Sequence, residues 1–383
     1  MRKGTSSHVH KLLPRCGFFS RRLTIPPHDP TRHRLPLPGM DTHIHYTREG
    51  PPLREARHVV CMWHGAPGST FDWRYVAPCL SSDIAIIRLE LPGHGESPRG
   101  AVLDADPSSP TMERAVLASI RGIAEAEGMP LTSSGAPPRQ PPLELFALAH
   151  SIGSLEALGL CDPFAAESAG STAIPVRFLG CALVSPFGLR PHQAIKVLAK
   201  RPDGSTFWLL RHLVRSQLAE MLLRPLVRFL SARVFGFGSR ASASELFWML
   251  KRAAASDYTR VNAIYRAMRD AKTPLHLFYG SDDPLMERAV HDEVATLLGI
   301  SVREVAVKAA GGKAVEQAGR QTQHPSDADA MQRATVFVGA SHYSIRSHPQ
   351  QLAEDLEAWM DAVRSARAGG ASAVTSSSQV LFN

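Results

Sequence analysis

At 383 residues, with 44% hydrophobic and 20% charged side chains, the chain is long enough for one large α/β domain with an insertion or for two domains, each with a sizeable core. Five scattered cysteines (Cys16, Cys61, Cys79, Cys161, Cys181) lack any CxxC spacing, which argues against a disulfide framework or a zinc site and favours a reducing compartment, and no apolar run approaches the roughly 18 residues of a membrane-spanning helix. The net charge of +8 is uneven: residues 1–28 hold six Lys/Arg and no acid, residues 190–270 hold 15 Lys/Arg against 5 Asp/Glu, and the rest is mildly acidic, unlike a uniformly basic nucleic-acid binder.

Residues 1–40 form a basic leader outside the fold. Basic and almost free of carboxylates, it resembles an organellar, mitochondrial-type transit peptide, while Pro14 breaks any amphipathic helix and leaves a disordered basic tail as the other reading. An intracellular protein, soluble or peripheral to a membrane, is expected. Thr42 to Thr47 alternates as a strand, and His58 to Trp63 is a buried-type strand ending at His64-Gly65-Ala66-Pro67-Gly68-Ser69. Ser82 to Leu91 is the next strand, closed by Pro92-Gly93-His94-Gly95-Glu96-Ser97, a turn that shapes the wall of a site. Met112 to Glu127 has helical spacing, and Leu131 to Pro142, dense in Pro and Ser, is a surface loop.

The apolar run from Leu143 to Leu148 reads as a buried strand that stops at Ala149-His150-Ser151-Ile152-Gly153, and a helical pattern resumes at Leu155. Strand, tight turn with a serine at its apex, then helix is the build of a nucleophile elbow. The turn brings backbone segments together, so small neighbours are needed. Phe178 to Val184 is a further strand, ending at Ser185-Pro186-Phe187-Gly188. From 189 to 270 the strand signal vanishes; Phe207 to Leu210, Leu218 to Leu230 and Leu246 to Leu250 sit in helix-like, arginine-rich patterns. Pro274 to Tyr279 restores a strand, running into Gly280-Ser281-Asp282-Asp283, and Met286 to Leu298 is a helix. Residues 310–329 form a flexible loop, Ala334 to Val338 a last strand ending at Gly339-Ala340-Ser341-His342, and Pro349 to Arg364 a closing helix before a disordered tail at 365–383.

Strands alternating with helices imply parallel βαβ units, whose sites lie at the carboxyl ends of strands. Four such ends carry polar groups: His64-Gly65-Ala66, Ser151, Asp282/Asp283 and His342. On these motifs the chain resembles the α/β-hydrolase superfamily, in its serine-nucleophile, capped branch. The resemblance implies an α/β-hydrolase fold: a mostly parallel central sheet flanked by helices, a core over 41–188 and 271–364, and a helical cap over 189–270, after the sixth strand. It matches Ser151 to the nucleophile, Asp283 to the acid through the pattern Gly-x-x-Asp, and His342 to the base. It departs from the family at Ala149, where the elbow's first glycine usually stands; a methyl fits if the backbone avoids positive φ.

The base can also be argued from the residues. Of the histidines after the acid, His291 lies inside a helix, His324 in the flexible loop and His348 at a helix start, whereas His342 directly follows a strand and small residues. Of the neighbouring carboxylates only one can face His342; Asp282 would then be a solvated neighbour or a turn cap. An oxyanion hole needs two backbone N–H donors, each worth ~2.7–4 kcal/mol of barrier. Ile152 supplies one; Pro67 has no N–H, so Ala66 supplies the other. His64, Gly65 and His150 are assigned to the substrate pocket. The implied activity is a serine esterase or lipase acting on a small or lipid-like acyl substrate, with no metal or cofactor. A catalytically silent binding protein and a peptidase of the proline iminopeptidase type are the rival readings. The basic cap is either packed with solvated arginines or in contact with an anionic membrane or an acidic acyl carrier.

Overall fold

The computed structural model describes residues 30–129, 141–164, 176–192, 217–233, 242–306 and 331–378. Most of the leader, most of the loop at 131–142, all of the loop at 310–329, the segment holding Phe207 to Leu210, His324 and the last residues of the tail lie outside them. In chain order the strands and helices are β1 (Arg32–Leu37), β2 (Thr42–Glu49), β3 (His58–Trp63), β4 (Ile84–Leu89), α1 (Gly100–Ala105), α2 (Ser109–Ala126), β5 (Leu143–His150), α3 (Ser154–Leu160) and β6 (Val176–Val184). There follow α4 (Gln217–Arg233), α5 (Ala243–Ala255), α6 (Tyr258–Asp270), β7 (Leu275–Gly280), α7 (Arg288–Leu298), β8 (Val302–Ala306), β9 (Gln332–Val338), α8 (Ser344–Ser347) and α9 (Pro349–Ser378).

Among the described residues, nine strands form one sheet in the order β1-β2-β4-β3-β5-β6-β7-β9-β8. The β1–β2 and β2–β4 pairs are antiparallel and all the others parallel. The central strands are near-continuous apolar runs because helices cover both faces of a parallel sheet. Alternation along β5 divides its side chains between two cores. Leu145, Ala147 and Ala149 join Met112, Val116 and Ile120 of α2 in one, and Phe146 and Leu148 join Leu352, Leu356 and Trp359 of α9 in the other. Each fully buried large side chain contributes roughly 1.5–3 kcal/mol, so β5, and with it Ser151 at its end, is anchored from both sides.

Two strands depart from the sequence reading, and both are edges. β1 lies inside the segment assigned to the leader, where Pro36 reads against a strand; β8 is short and half exposed, with Arg303 and Glu304 outward. The closing helix does not stop at Arg364 but runs to Ser378, into the stretch assigned to a tail. Between β6 and β7 the described residues include the three helices α4, α5 and α6. α5 starts with a Ser242/Glu245 capping box, and Asp257 caps α6 by accepting from Thr259 and Arg260 N–H. Such caps are typically worth about 1 kcal/mol each.

These helices are fastened at four points to the turn after β4 and to α2 and α3. Trp248 Nε1 donates to Pro92 O (2.8 Å), and Glu245 accepts from Gly95 N (2.9 Å). Arg260 makes two bonds to Glu113 (2.6 and 2.9 Å), and a fully buried ion pair joins Arg252 to Glu156. Gly93 has φ +85° and lies under the Trp248 indole, where an added Cβ would come within 2.3 Å of Nε1. The turn after β4 is therefore the seat of the insertion as much as a wall.

Candidate active site

β5 ends at His150 in extended conformation, and the next residue, Ser151, has φ +54°. A left-handed backbone is costly for a residue with a side chain and persists only where its surroundings hold it. Trp63 Nε1 donates to Gly153 O (2.6 Å), tying the turn to β3, and Ser154 Oγ accepts from Phe187 N (2.9 Å), tying it to the loop after β6. The crowding fixes the small residues. A Cβ on Gly65 would stand 2.7 Å from Ser151 Cβ, and one on Gly153 would stand 2.6 Å from His64 O. Ala149, by contrast, sits in the regular strand without positive φ, so its methyl is accommodated in the core.

His342 reaches this serine from the loop after β9. Its Nε2 lies 3.0 Å from Ser151 Oγ and its Nδ1 2.7 Å from Asp283 Oδ2. A carboxylate only accepts, so Nδ1 carries the ring proton and Nε2 presents a lone pair to the serine hydroxyl. Asp283 Oδ1 accepts from Leu285 N (2.8 Å) and Met286 N (2.9 Å). Burial alone would raise this carboxyl; the neighbouring His342, its hydrogen bond and the two N–H groups outweigh burial and hold it at about 2. Asp282 is exposed and accepts from Ser281 Oγ (2.7 Å), so of the two neighbouring acids only Asp283 meets the histidine. The other histidines are engaged elsewhere. His291 donates to Pro186 O (3.0 Å), and His348 stacks on Phe337 beside Ser347.

The two histidines assigned to the pocket wall hold backbone instead. His64 accepts from Leu91 N at Nε2 (3.0 Å) and so donates from Nδ1 to Gly65 O (2.5 Å), clamping the loop after β3 to the one after β4. Burial lowers its pKa to about 4, keeping the ring neutral. His150 donates from Nε2 to His342 O (3.0 Å), an oxygen that also accepts from Ser185 Oγ (3.3 Å). Burial, then the proximity of His342, lowers His150 to about 3. Gly65 stands beside the serine, and the next residue, Ala66, is half-buried in the loop after β3.

One buried histidine went unread in the sequence. His192 packs its ring against Phe187 (5.6 Å), and burial, followed by the nearby His342, lowers it to about 4. Leu189-Arg190-Pro191-His192 carries no motif that would single it out. A cavity of about 500 Å³ lies apart from this constellation: its lining, including Ser108, Pro110, Leu155, Tyr258 and Arg260, contains none of Ser151, Asp283 or His342.

Comparison with known proteins places this geometry. Residues 59–355, more than half of the chain, match the alpha/beta hydrolase family. The haloalkane dehalogenase DbeA from Bradyrhizobium elkani USDA94 superposes with a TM-score of 0.54 at 16% identity, over 88% of this chain and 100% of that one. A bromoperoxidase from Bacillus anthracis gives 0.50 at 12% identity, over 86% and 100%. At such identities the likeness is one of fold. No curated protein sequence matches the chain. With a mostly parallel sheet, a serine at the strand-to-helix turn after β5, and a family match spanning the sheet from β3 into α9, the chain belongs to the alpha/beta hydrolase family.

Proposed function

We propose that the protein is a serine hydrolase that cleaves an ester, thioester or related acyl bond of a small or lipid-like substrate. The observation that carries this reading is the relay Ser151 Oγ–His342 Nε2 (3.0 Å) and His342 Nδ1–Asp283 Oδ2 (2.7 Å). A serine hydroxyl is a weak nucleophile at neutral pH and needs a base, itself oriented by a third group. Ser151 Oγ attacks the acyl carbon as its proton passes to His342 Nε2. Asp283, ionised at neutral pH, stabilises the imidazolium. Ile152 N–H, in the turn just before α3, and Ala66 N–H, in the loop after β3, are assigned to the oxyanion. Collapse of the tetrahedral intermediate expels the alcohol, thiol or amine, which takes the proton from His342 and leaves the acyl group on Ser151. Water, giving its proton to His342, then releases the acid and the free serine. Dehalogenases of this fold carry aspartate at the elbow, so serine favours acyl transfer to water over attack on a carbon–halogen bond. The helical segment 189–270 is assigned as a cap over the site, which would set substrate shape and exclude water.

A fluorophosphonate probe tests the reading. Folded wild-type protein should be labelled, and Ser151→Ala should not. Absence of labelling under conditions that label a control esterase would leave a silent binding protein as the better description. Labelling that persists in Ser151→Ala would overturn the choice of nucleophile. Chain-length profiling of esters and thioesters then defines the acyl group.

A further inference from the structure

α4 is apolar on two sides. Its inner side is accounted for: Leu223 and Val227 pack against Phe247 and Leu250 of α5 and Ala254. Glu220, also buried, meets Lys251 Nζ and Arg224 Nη2 at 3.4 Å each. The outer side carries Leu218, Met221, Leu222 and Leu226, exposed at 60%, 61%, 65% and 50%. Their spacing of three, four and eight residues along the helix makes one continuous stripe. Five of the eight large hydrophobic side chains exposed among the described residues lie on this helix, Phe229 being the fifth. Clustered exposure of this kind marks an interaction surface, unlike singly scattered apolar residues.

The charges around the stripe choose among partners. The one acid of α4 is Glu220, which is turned inward and buried. Arg224, with half its side chain exposed, flanks the stripe. Around Glu220, three cations (Arg99, Arg224, Lys251) share two carboxylates, Glu220 and Asp104. The surface is thus an apolar stripe flanked by Arg224, on a helix that carries three arginines against one glutamate. A second copy of the chain would bring two helices of net positive charge together, and an exposed helix face offers no groove for a peptide. An anionic lipid surface fits both properties: the apolar side chains enter the acyl region while arginine stays among the headgroups. No described helix is long and apolar enough to cross a membrane, so the contact would lie in the interface plane.

We propose that the outer face of α4 docks the protein on anionic lipid membranes. The docking stands on α4 alone. Its consequence, that the segment following β6 brings a lipid acyl bond toward Ser151, rests on the hydrolase reading.

Flotation of the full-length protein with vesicles of equimolar phosphatidylglycerol and phosphatidylcholine, against pure phosphatidylcholine, tests it. Wild type and Ser151→Ala should both co-float with the mixed vesicles, about tenfold above the neutral ones. Leu222→Glu/Leu226→Glu should fall to the neutral level with an unchanged melting temperature, and Arg224→Glu should lose most of the anionic preference. Leu218→Ser/Met221→Ser, on the same stripe, repeats the test should the first pair unfold. Failure of the wild type to float, equal flotation on both vesicles, or undiminished flotation of the stripe variants would overturn the proposal. So would a dimer in sedimentation that these substitutions dissolve without any vesicle binding. A wild type that floats but resists the fluorophosphonate probe would sink the hydrolase reading and leave the docking surface standing.

Discussion

His150 illustrates how much of a site is held by groups that do no chemistry. It precedes the nucleophile, yet its ring donates to the carbonyl of His342, 192 residues further along the chain. Two buried donors, His150 Nε2 and Ser185 Oγ, thus fix the main chain of the proposed base. Removing a partner from a buried acceptor costs ~1–3 kcal/mol. His150→Ala should therefore lower kcat roughly 5- to 100-fold on a chromogenic ester with little change in KM, and His150→Gln, which keeps a donor, should recover part of it. Equal kcat in the two variants would show that the hydrogen bond does not position the base. The acid makes a pH prediction. Its carboxyl lies at about 2, against an ordinary value of 3.8. A depressed carboxyl contributes stability that is present above its unfolded pKa and lost as pH falls through the folded one, here a difference of roughly 2 kcal/mol. Urea unfolding should show the gap between wild type and Asp283→Asn narrowing by about that amount from about pH 5 to about pH 2; a gap indifferent to pH would contradict it.

At the scale of elements, the contact between α5 and α3 is the one to probe. Arg252 and Glu156 are both buried and paired, and α3 begins three residues after Ser151. Burial raises Glu156 to about 7 against the opposing pull of Arg252, so for this carboxyl burial outweighs its partner. Breaking one side of a buried pair typically costs ~3–5 kcal/mol, whereas replacing both by apolar groups is often neutral. Arg252→Met alone should therefore destabilise by about that amount, and Glu156→Met/Arg252→Met should be more stable than the single variant. Chemical denaturation of the double-mutant cycle decides it, with simple additivity as the contrary result. The pair matters because it couples the helical insertion to the helix that carries the proposed oxyanion donor Ile152 at its approach.

Over the whole molecule, what could be read from the sequence was what burial imposes. β3 and β5 to β7 are mostly apolar, largely buried runs, and each was legible; β1 and β8 sit at the edges, where charges and a proline replace the pattern. Ser151 and His342 were legible because small residues crowd a strand end. Choosing Asp283 over Asp282 took the family pattern in the sequence, and in the structure the outward turn of Asp282. The duties of His64 and His150 were not legible, because a backbone partner of each, Leu91 N–H for His64 and His342 O for His150, lies far along the chain. Long sequence separation also governs when the site can exist. Ser151 and His342 are 191 residues apart, and the histidine arrives only after β9, the last strand of the sheet. A nascent chain that has emerged as far as α7 holds the serine and the acid but not His342. Its hydroxyl is then no more reactive than that of any other serine. The proposed chemistry would thus be withheld from the ribosome-bound protein simply by the order in which its strands are made.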